Sequence, residues 1–189
     1  MIDIQRTLQE HQETIAALQA MVPQITAVAQ RMSHAIQHGG KILWMGNGGS
    51  AADSQHLAAE LIGRFSRERR SIASIALTTD SSILTAIGND YGYDTIFARQ
   101  IEGLCTSQDV VMGLSTSGNS PNVLQGVAAA RKTGAVTVGL LGRDGGLLRQ
   151  EVDLPLVVPS NITARIQEAH ILIGHILCDW IEAEAASKN

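Results

Sequence analysis

Aromatic side chains make up only 3% of these 189 residues, too few to build the stacking platforms on which proteins hold unpaired bases. Excess positive charge is missing as well. The formal net charge is −4, which argues against general affinity for nucleic acid or for membrane surfaces. The two cysteines, Cys105 and Cys178, lie far apart and fit no metal or redox spacing. A disulfide framework is therefore not indicated, and both read as buried thiols. No apolar run reaches the length of a membrane span. The start, Met-Ile-Asp-Ile-Gln-Arg, has neither a long apolar segment nor a small-residue cleavage site, so the expected address is the cytoplasm. No long low-complexity linker and no internal repeat divides the chain. With 44% apolar residues, one domain with a full core is expected over residues 1–189.

The one glycine-rich stretch lacks both G-x-G-x-x-G and a Gly-Lys-Ser/Thr ending, so it is neither the dinucleotide fingerprint nor the Walker pattern. It is still informative. Ile42-Leu43-Trp44-Met45 reads as a strand, Gly46-Asn47-Gly48-Gly49 as a turn, and Ser50 as the cap of an alanine-rich helix. The free N–H groups and dipole at such a helix start make the loop a seat for a phosphate or another anion. His56, Glu60 and Arg64 follow at steps of four, each step turning the helix by about 40°. A nitrogen ligand, a carboxylate and a cation thus share a stripe leading away from the anion seat, although His56 and Glu60 also fit an ordinary helix-surface pair. The neighbouring Arg67, Arg69 and Arg70 read mostly as a solvated helix end.

Two N-terminal helices are expected within residues 1–38, over 3–20 and 24–38, the second opened by Pro23 and closed by Gly39-Gly40. The first carries a thin apolar stripe, Ile4, Leu8, Ile15 and Leu18, suited either to another subunit or to its own domain. Within residues 41–186 the chain alternates strands (41–46, 72–78, 108–114, 135–140, 154–158) with helices (about 50–65, 81–87, 93–105, 120–132, 162–185). Continuous apolar strands imply a sheet covered on both faces, so the fold class is α/β, a doubly wound five-stranded parallel sheet flanked by helices. Ligands bind such sheets outside the strand carboxyl ends. That is where Gly46 to Ser50 falls, and also Ser115-Thr116-Ser117-Gly118-Asn119-Ser120-Pro121, with Ser120 as N-cap and Pro121 as the first helical residue. Hydroxyls, turn amides and a helix start there form a phosphate cradle without lysine. Two anion-friendly turns in one sheet point to a phosphorylated small molecule. Gly88-Asn89-Asp90-Tyr91-Gly92 reads as a polar turn between helices whose Asn and Asp could also bind polyol hydroxyls, and Gly142 to Gly146 receives no chemistry. In the last helix His175 sits among Ile171, Leu172, Ile176 and Leu177 and is expected to be partly buried. Glu168 lies about 20° and Gln167 about 80° from it on the helix wheel, and spacing does not choose between them as partners.

Together, Gly46 to His56, Asn89 to Gly92, Ser115 to Ser120 and Arg165-Ile166-Gln167-Glu168-Ala169-His170 resemble the sugar isomerase (SIS) family and, within it, the phosphoheptose isomerases. Four motifs in order, spanning nearly the whole chain, carry the resemblance. It implies an aldose-ketose isomerase that converts sedoheptulose 7-phosphate to D-glycero-D-manno-heptose 7-phosphate, early in lipopolysaccharide heptose synthesis. It also implies a homotetramer with sites between subunits, which the N-terminal helices help to build. By motif, Ser115, Thr116, Ser117 and Ser120 would hold the phosphate. Asn47, Gly48, Gly49, Ser50, Asn89, Asp90 and Gln167 would orient the sugar, and Arg64 would be a site arginine. Glu60 and His175 would be the acid/base pair, Glu60 on carbon and His175 on oxygen. A zinc site would draw on His56, Glu60, Gln167 and His175, which by analogy favours Gln167 over Glu168. The segment Glu68 to Ser74 departs from the family by lacking prolines, which removes a source of stiffness from that loop.

A rival comes from another class: a relative of the same fold is a non-catalytic tetramer that binds the replication initiator DnaA. That branch lacks a histidine at the position of His175, so the presence of both Glu60 and His175 favours an enzyme. A sugar-phosphate-sensing regulatory domain would ordinarily be fused to a DNA-binding module, for which 189 residues leave no room.

Overall fold

The computed structural model describes residues 3–187. Five parallel strands, β1 (Ile42–Gly46), β2 (Ser74–Ala76), β3 (Val110–Ser115), β4 (Val136–Gly142) and β5 (Leu154–Val158), form one sheet in the order β2-β1-β3-β4-β5. The chain reverses its direction of winding between β1 and β3, and the register pairs Gly46 with Leu114, so the carboxyl ends of these two strands are level. The glycine turn and the serine turn are therefore neighbours at the switch point, where doubly wound sheets open a crevice.

Alternation along β1 divides the core. Ile42 and Trp44 join one buried cluster, while Leu43 and Met45 join the other, as a period of two requires. The first cluster is completed by α2 (Val22–Gln37), α3 (Gly49–Ile62) and α8 (Thr163–Ala186), and the second by α5 (Ile96–Leu104) and α6 (Pro121–Thr133). Leu57 and Leu61 of α3 and Ile173 and Leu177 of α8 are fully buried in the first cluster, each contributing about 1.5–3 kcal/mol by leaving water. These four residues are sequence neighbours of His56, Glu60 and His175, so the packing that docks α3 against α8 also aims the site side chains.

Several boundaries differ from the sequence reading. Gly48, at φ +56, occupies the N-cap of α3, which begins at Gly49, so Ser50 lies buried in the first turn instead of capping it. The helix ends at Ile62, and β2 is confined to Ser74–Ala76. Asp80 caps α4 (Ser81–Tyr91) by accepting from the Ile83 N–H at 2.9 Å, and this helix takes in Asn89 and Asp90, so they are not in a turn. A 3-10 turn, Tyr93–Thr95, precedes α5, and a short α7 (Leu148–Glu151) stands between β4 and β5. At the N-terminus, α1 (Ile4–Ala17) and a 3-10 turn bury Leu18 but leave Ile4 and Leu8 exposed. Cys178 is buried, its thiol pushed up to about 12 chiefly by burial, whereas Cys105 is only half-buried. Among the described residues, no helix is long and apolar enough to cross a membrane.

Candidate active site

His56 and Glu60 stand one turn apart on α3 and meet His175 of α8. The His56 Nε2 lies 2.9 Å from the His175 Nε2 and 3.3 Å from a Glu60 carboxylate oxygen. Ligand atoms from all three lie within 4.8 Å of one another. Donors around a tetrahedral zinc at about 2.0–2.1 Å are separated by roughly 3.3 Å, so two imidazole nitrogens and a carboxylate oxygen at these spacings suit such an ion. The donor set and its geometry fit the metal. Edge-on packing of the two imidazoles, with centroids 5.1 Å apart, and the Phe65 ring 5.5 Å from His175 hold the latter ring from two sides.

Gln167 reaches the start of α3. Its amide nitrogen donates to Asp53 Oδ1 at 3.4 Å, and its side chain fills the place where a β-carbon on Gly49 would lie, 2.4–2.6 Å from the carboxamide atoms. Gly49 is thus required by close approach. Glu168 turns elsewhere: it accepts from Arg165 and pairs with His11 of α1 at 2.7 Å. Gln167 thus faces the start of α3 and Glu168 faces α1, and among the described residues neither has a recorded contact with His175. Asp53 received no role from the sequence. It is buried, its Oδ2 lacks a partner among the described residues, and burial raises its pKa against the pull of Gln167, His56 and His175. Its place three residues before His56 was the available signal, because that spacing keeps both on neighbouring faces of one helix.

Across the crevice, Ser115 Oγ and Ser120 Oγ are 2.9 Å apart, and the Gly118 N–H donates to Ser115 Oγ at 3.1 Å. Ser120 is the N-cap of α6 and Pro121 its first residue. Ser117 Oγ accepts from the Asn119 N–H at 3.2 Å, while Thr116 and Ser117 are half-buried on the same turn. Residues 142–146 do matter: a β-carbon on Gly118 would lie 1.9 Å from the Gly145 carbonyl oxygen, so that loop supports the serine turn from beneath. Asn47 joins the two turns, its amide exchanging 2.8 Å hydrogen bonds with Asn122, while the Tyr93 hydroxyl donates to it at 3.2 Å.

Three candidate residues stand apart in the single chain. Arg64 is exposed beside Glu68 at 3.3 Å, and Asn89 is exposed and donates to Asp90 at 2.8 Å. None of their recorded contacts reaches the histidine triangle or the serine turn. The expected solvated arginine cluster is also corrected: Arg69 has a fully buried side chain beside Glu182 of α8. The arginine run is the end of no helix but a loop folded back on the core.

Residues 5–142 match the family model for the SIS domain. A phosphoheptose isomerase of Geobacter metallireducens is 55% identical over 95% of this chain and 96% of its own. Among solved structures, phosphoheptose isomerase GmhA from Neisseria gonorrhoeae superposes with a TM-score of 0.86 at 45% identity, covering 94% of each chain. A phosphoheptose isomerase from Francisella tularensis gives 0.88 at 35% identity, covering 96% of this chain and 100% of that one. Both turns that meet at the sheet's switch point, and α3 with its histidine and glutamate, fall within the matched segment, and the chain belongs to the SIS domain family, on its phosphoheptose isomerase branch.

Proposed function

We propose that the chain is a cytoplasmic aldose-ketose isomerase that converts sedoheptulose 7-phosphate to D-glycero-D-manno-heptose 7-phosphate, an early step toward lipopolysaccharide heptose. The observation that carries this reading is the meeting of His56, Glu60 and His175 in a chain that also places a lysine-free serine turn at the switch point of its sheet and is 55% identical to a phosphoheptose isomerase. Ser115, Thr116, Ser117 and Ser120 receive the phosphate at the start of α6, where free N–H groups favour an anion. Asn47, Gly48, Gly49, Ser50 and Gln167 orient the sugar chain. Glu60 takes the proton from C1 of the ketose, giving an enediolate, and the proton is returned at C2. His175 carries the proton from the C1 hydroxyl to the C2 oxygen, so the carbonyl moves from C2 to C1 with no net loss of atoms.

His56, Glu60, His175 and Gln167 would hold one zinc ion per site. When bound, it supplies Lewis-acid polarisation of the carbonyl and charge stabilisation for the enediolate oxygens. The working assembly in this reading is a homotetramer of a single SIS domain spanning residues 1–189. Sites between subunits give the exposed Arg64, Asn89 and Asp90 a route to a sugar across an interface.

Incubating purified protein with sedoheptulose 7-phosphate and following the aldose by NMR tests the reading. Turnover is expected, falling on dialysis against a chelator and returning with Zn(II). An inactive protein that instead captures DnaA would reverse the assignment in favour of the non-catalytic branch.

A further inference from the structure

Glu182 lies on α8 two turns beyond His175 and about 20° from it around the helix. Its side chain is fully buried, and removing a carboxylate from water costs several kcal/mol unless its oxygens are paired and hydrogen-bonded. They are. The carboxylate accepts backbone N–H bonds from Phe65 at 2.8 Å, Ser66 at 2.7 Å and Arg67 at 2.8 Å, and a hydroxyl bond from Ser66 at 3.1 Å. Arg69, with no exposed side-chain surface, approaches it at 3.3 Å. Burial raises the acid's pKa, but the amides of Ser66, Phe65 and Arg67 outweigh it and hold Glu182 below the usual carboxylate range.

The other end of Arg69 grips α3. Its guanidinium donates to the Glu60 carbonyl at 2.8 Å and the Gly63 carbonyl at 2.9 Å. The Glu60 carbonyl falls in the last turn of α3, where carbonyls have no partner further along the helix. One carboxylate on α8 therefore gathers the loop 65–67, Arg69 just beyond it fastens the end of α3 at Glu60 itself, and Phe65 is brought against the His175 ring. Nothing in helix propensity or apolar packing requires a buried ion pair here, since an apolar contact would close the same space without the desolvation cost. What the pair supplies is direction: it ties the backbone of Glu60 to the helix that bears His175.

We propose that Glu182 and Arg69 are positioning residues, a buried clamp that fixes α3 relative to α8 and thereby holds Glu60 and His175 at their working separation. The inference rests on the isomerase reading above and adds residues that touch neither the sugar nor the reacting atoms. The Arg67 side chain pairs with Asp179 at the surface and also comes within 3.7 Å of the Glu182 carboxylate, whereas the Arg70 side chain, in the same loop, is exposed and takes no part in the clamp.

The test compares Glu182→Gln, Arg69→Lys and Arg70→Ala in the full chain. In the first two, kcat for sedoheptulose 7-phosphate is expected to fall about 10- to 100-fold, the scale of a catalytic group displaced by 1 Å or less, with KM within about twofold because the phosphate turn is untouched. Arg70→Ala is expected to keep the parent values. A folded Glu182→Gln or Arg69→Lys protein with parent kcat and only a lower Tm would overturn the proposal, since simple structural support predicts that pattern. If Glu182→Gln does not fold, Arg69→Lys decides. Should the parent itself fail to turn over, the isomerase reading falls, and the crystal structure of Arg69→Lys decides the clamp. A His56 to His175 contact opened beyond hydrogen-bond reach supports it, and one kept at 2.9 Å overturns it.

Discussion

Glu60 and His175 carry the chemistry in this account, and each can be removed with little change of shape. Glu60→Gln keeps the volume and loses the base, while His175→Asn loses the proton shuttle. Either is expected to lower kcat by roughly 10²- to 10⁴-fold in initial-rate assays, with the circular dichroism of the parent. A different histidine governs acid stability. His170 is fully buried, its pKa lowered to about 4 chiefly by burial, against the 6.5 of the free side chain, although Leu141 accepts a bond from its ring at 3.0 Å. A folded-state pKa below the unfolded one means that the stabilisation is complete above about pH 6.5 and drains away as pH falls toward 4, by up to on the order of 3 kcal/mol. Denaturant midpoints across that range should fall steadily in the parent and flatten in His170→Leu, once its lower overall stability is subtracted.

Elements rather than single residues set the two halves of the crevice. Ser115→Ala removes a hydroxyl from the turn before α6, and it is expected to raise KM about tenfold while leaving kcat within a few-fold, as the loss of one hydrogen bond to a charged group would. Gly49→Ala drives a methyl group into the Gln167 carboxamide and should reduce both kcat and zinc affinity, the latter read by calorimetry. The strands, the two turns and α8 were legible because their signals are local: apolar runs bounded by glycine or serine, a proline behind a serine cap. The end of α3 was not. Arg69 follows Glu68 and precedes Arg70, a run that looks solvated until Glu182, 113 positions later in the sequence, folds over it. Asn89 and Asp90 read as a turn because Gly88, Asn and Asp are poor helix formers, yet α4 runs through them to Tyr91, and Gly92 at φ +90 supplies the stop. Ser50 lost the cap position to Gly48 for a related reason, since a positive φ is needed there.

For the molecule as a whole, the exposed stripe on α1 is the part that the single chain leaves unexplained. Ile4 is 70% and Leu8 59% exposed, whereas Leu18 on the following turn is buried. A tetramer would cover such a stripe, so light scattering should find four chains, and Ile4→Asp with Leu8→Asp should give smaller species with reduced turnover. Remote packing is where the sequence was least readable, because it depends on surfaces that meet only after folding. The central claim, that Glu60 takes the proton from C1 of the ketose while His175 serves the oxygens, is tested most directly by solvent exchange. Incubated with sedoheptulose 7-phosphate in deuterium oxide, the parent should wash deuterium into C1 of recovered ketose, and Glu60→Gln should bind the sugar phosphate without exchanging it. Exchange by Glu60→Gln at the parent rate would contradict the account.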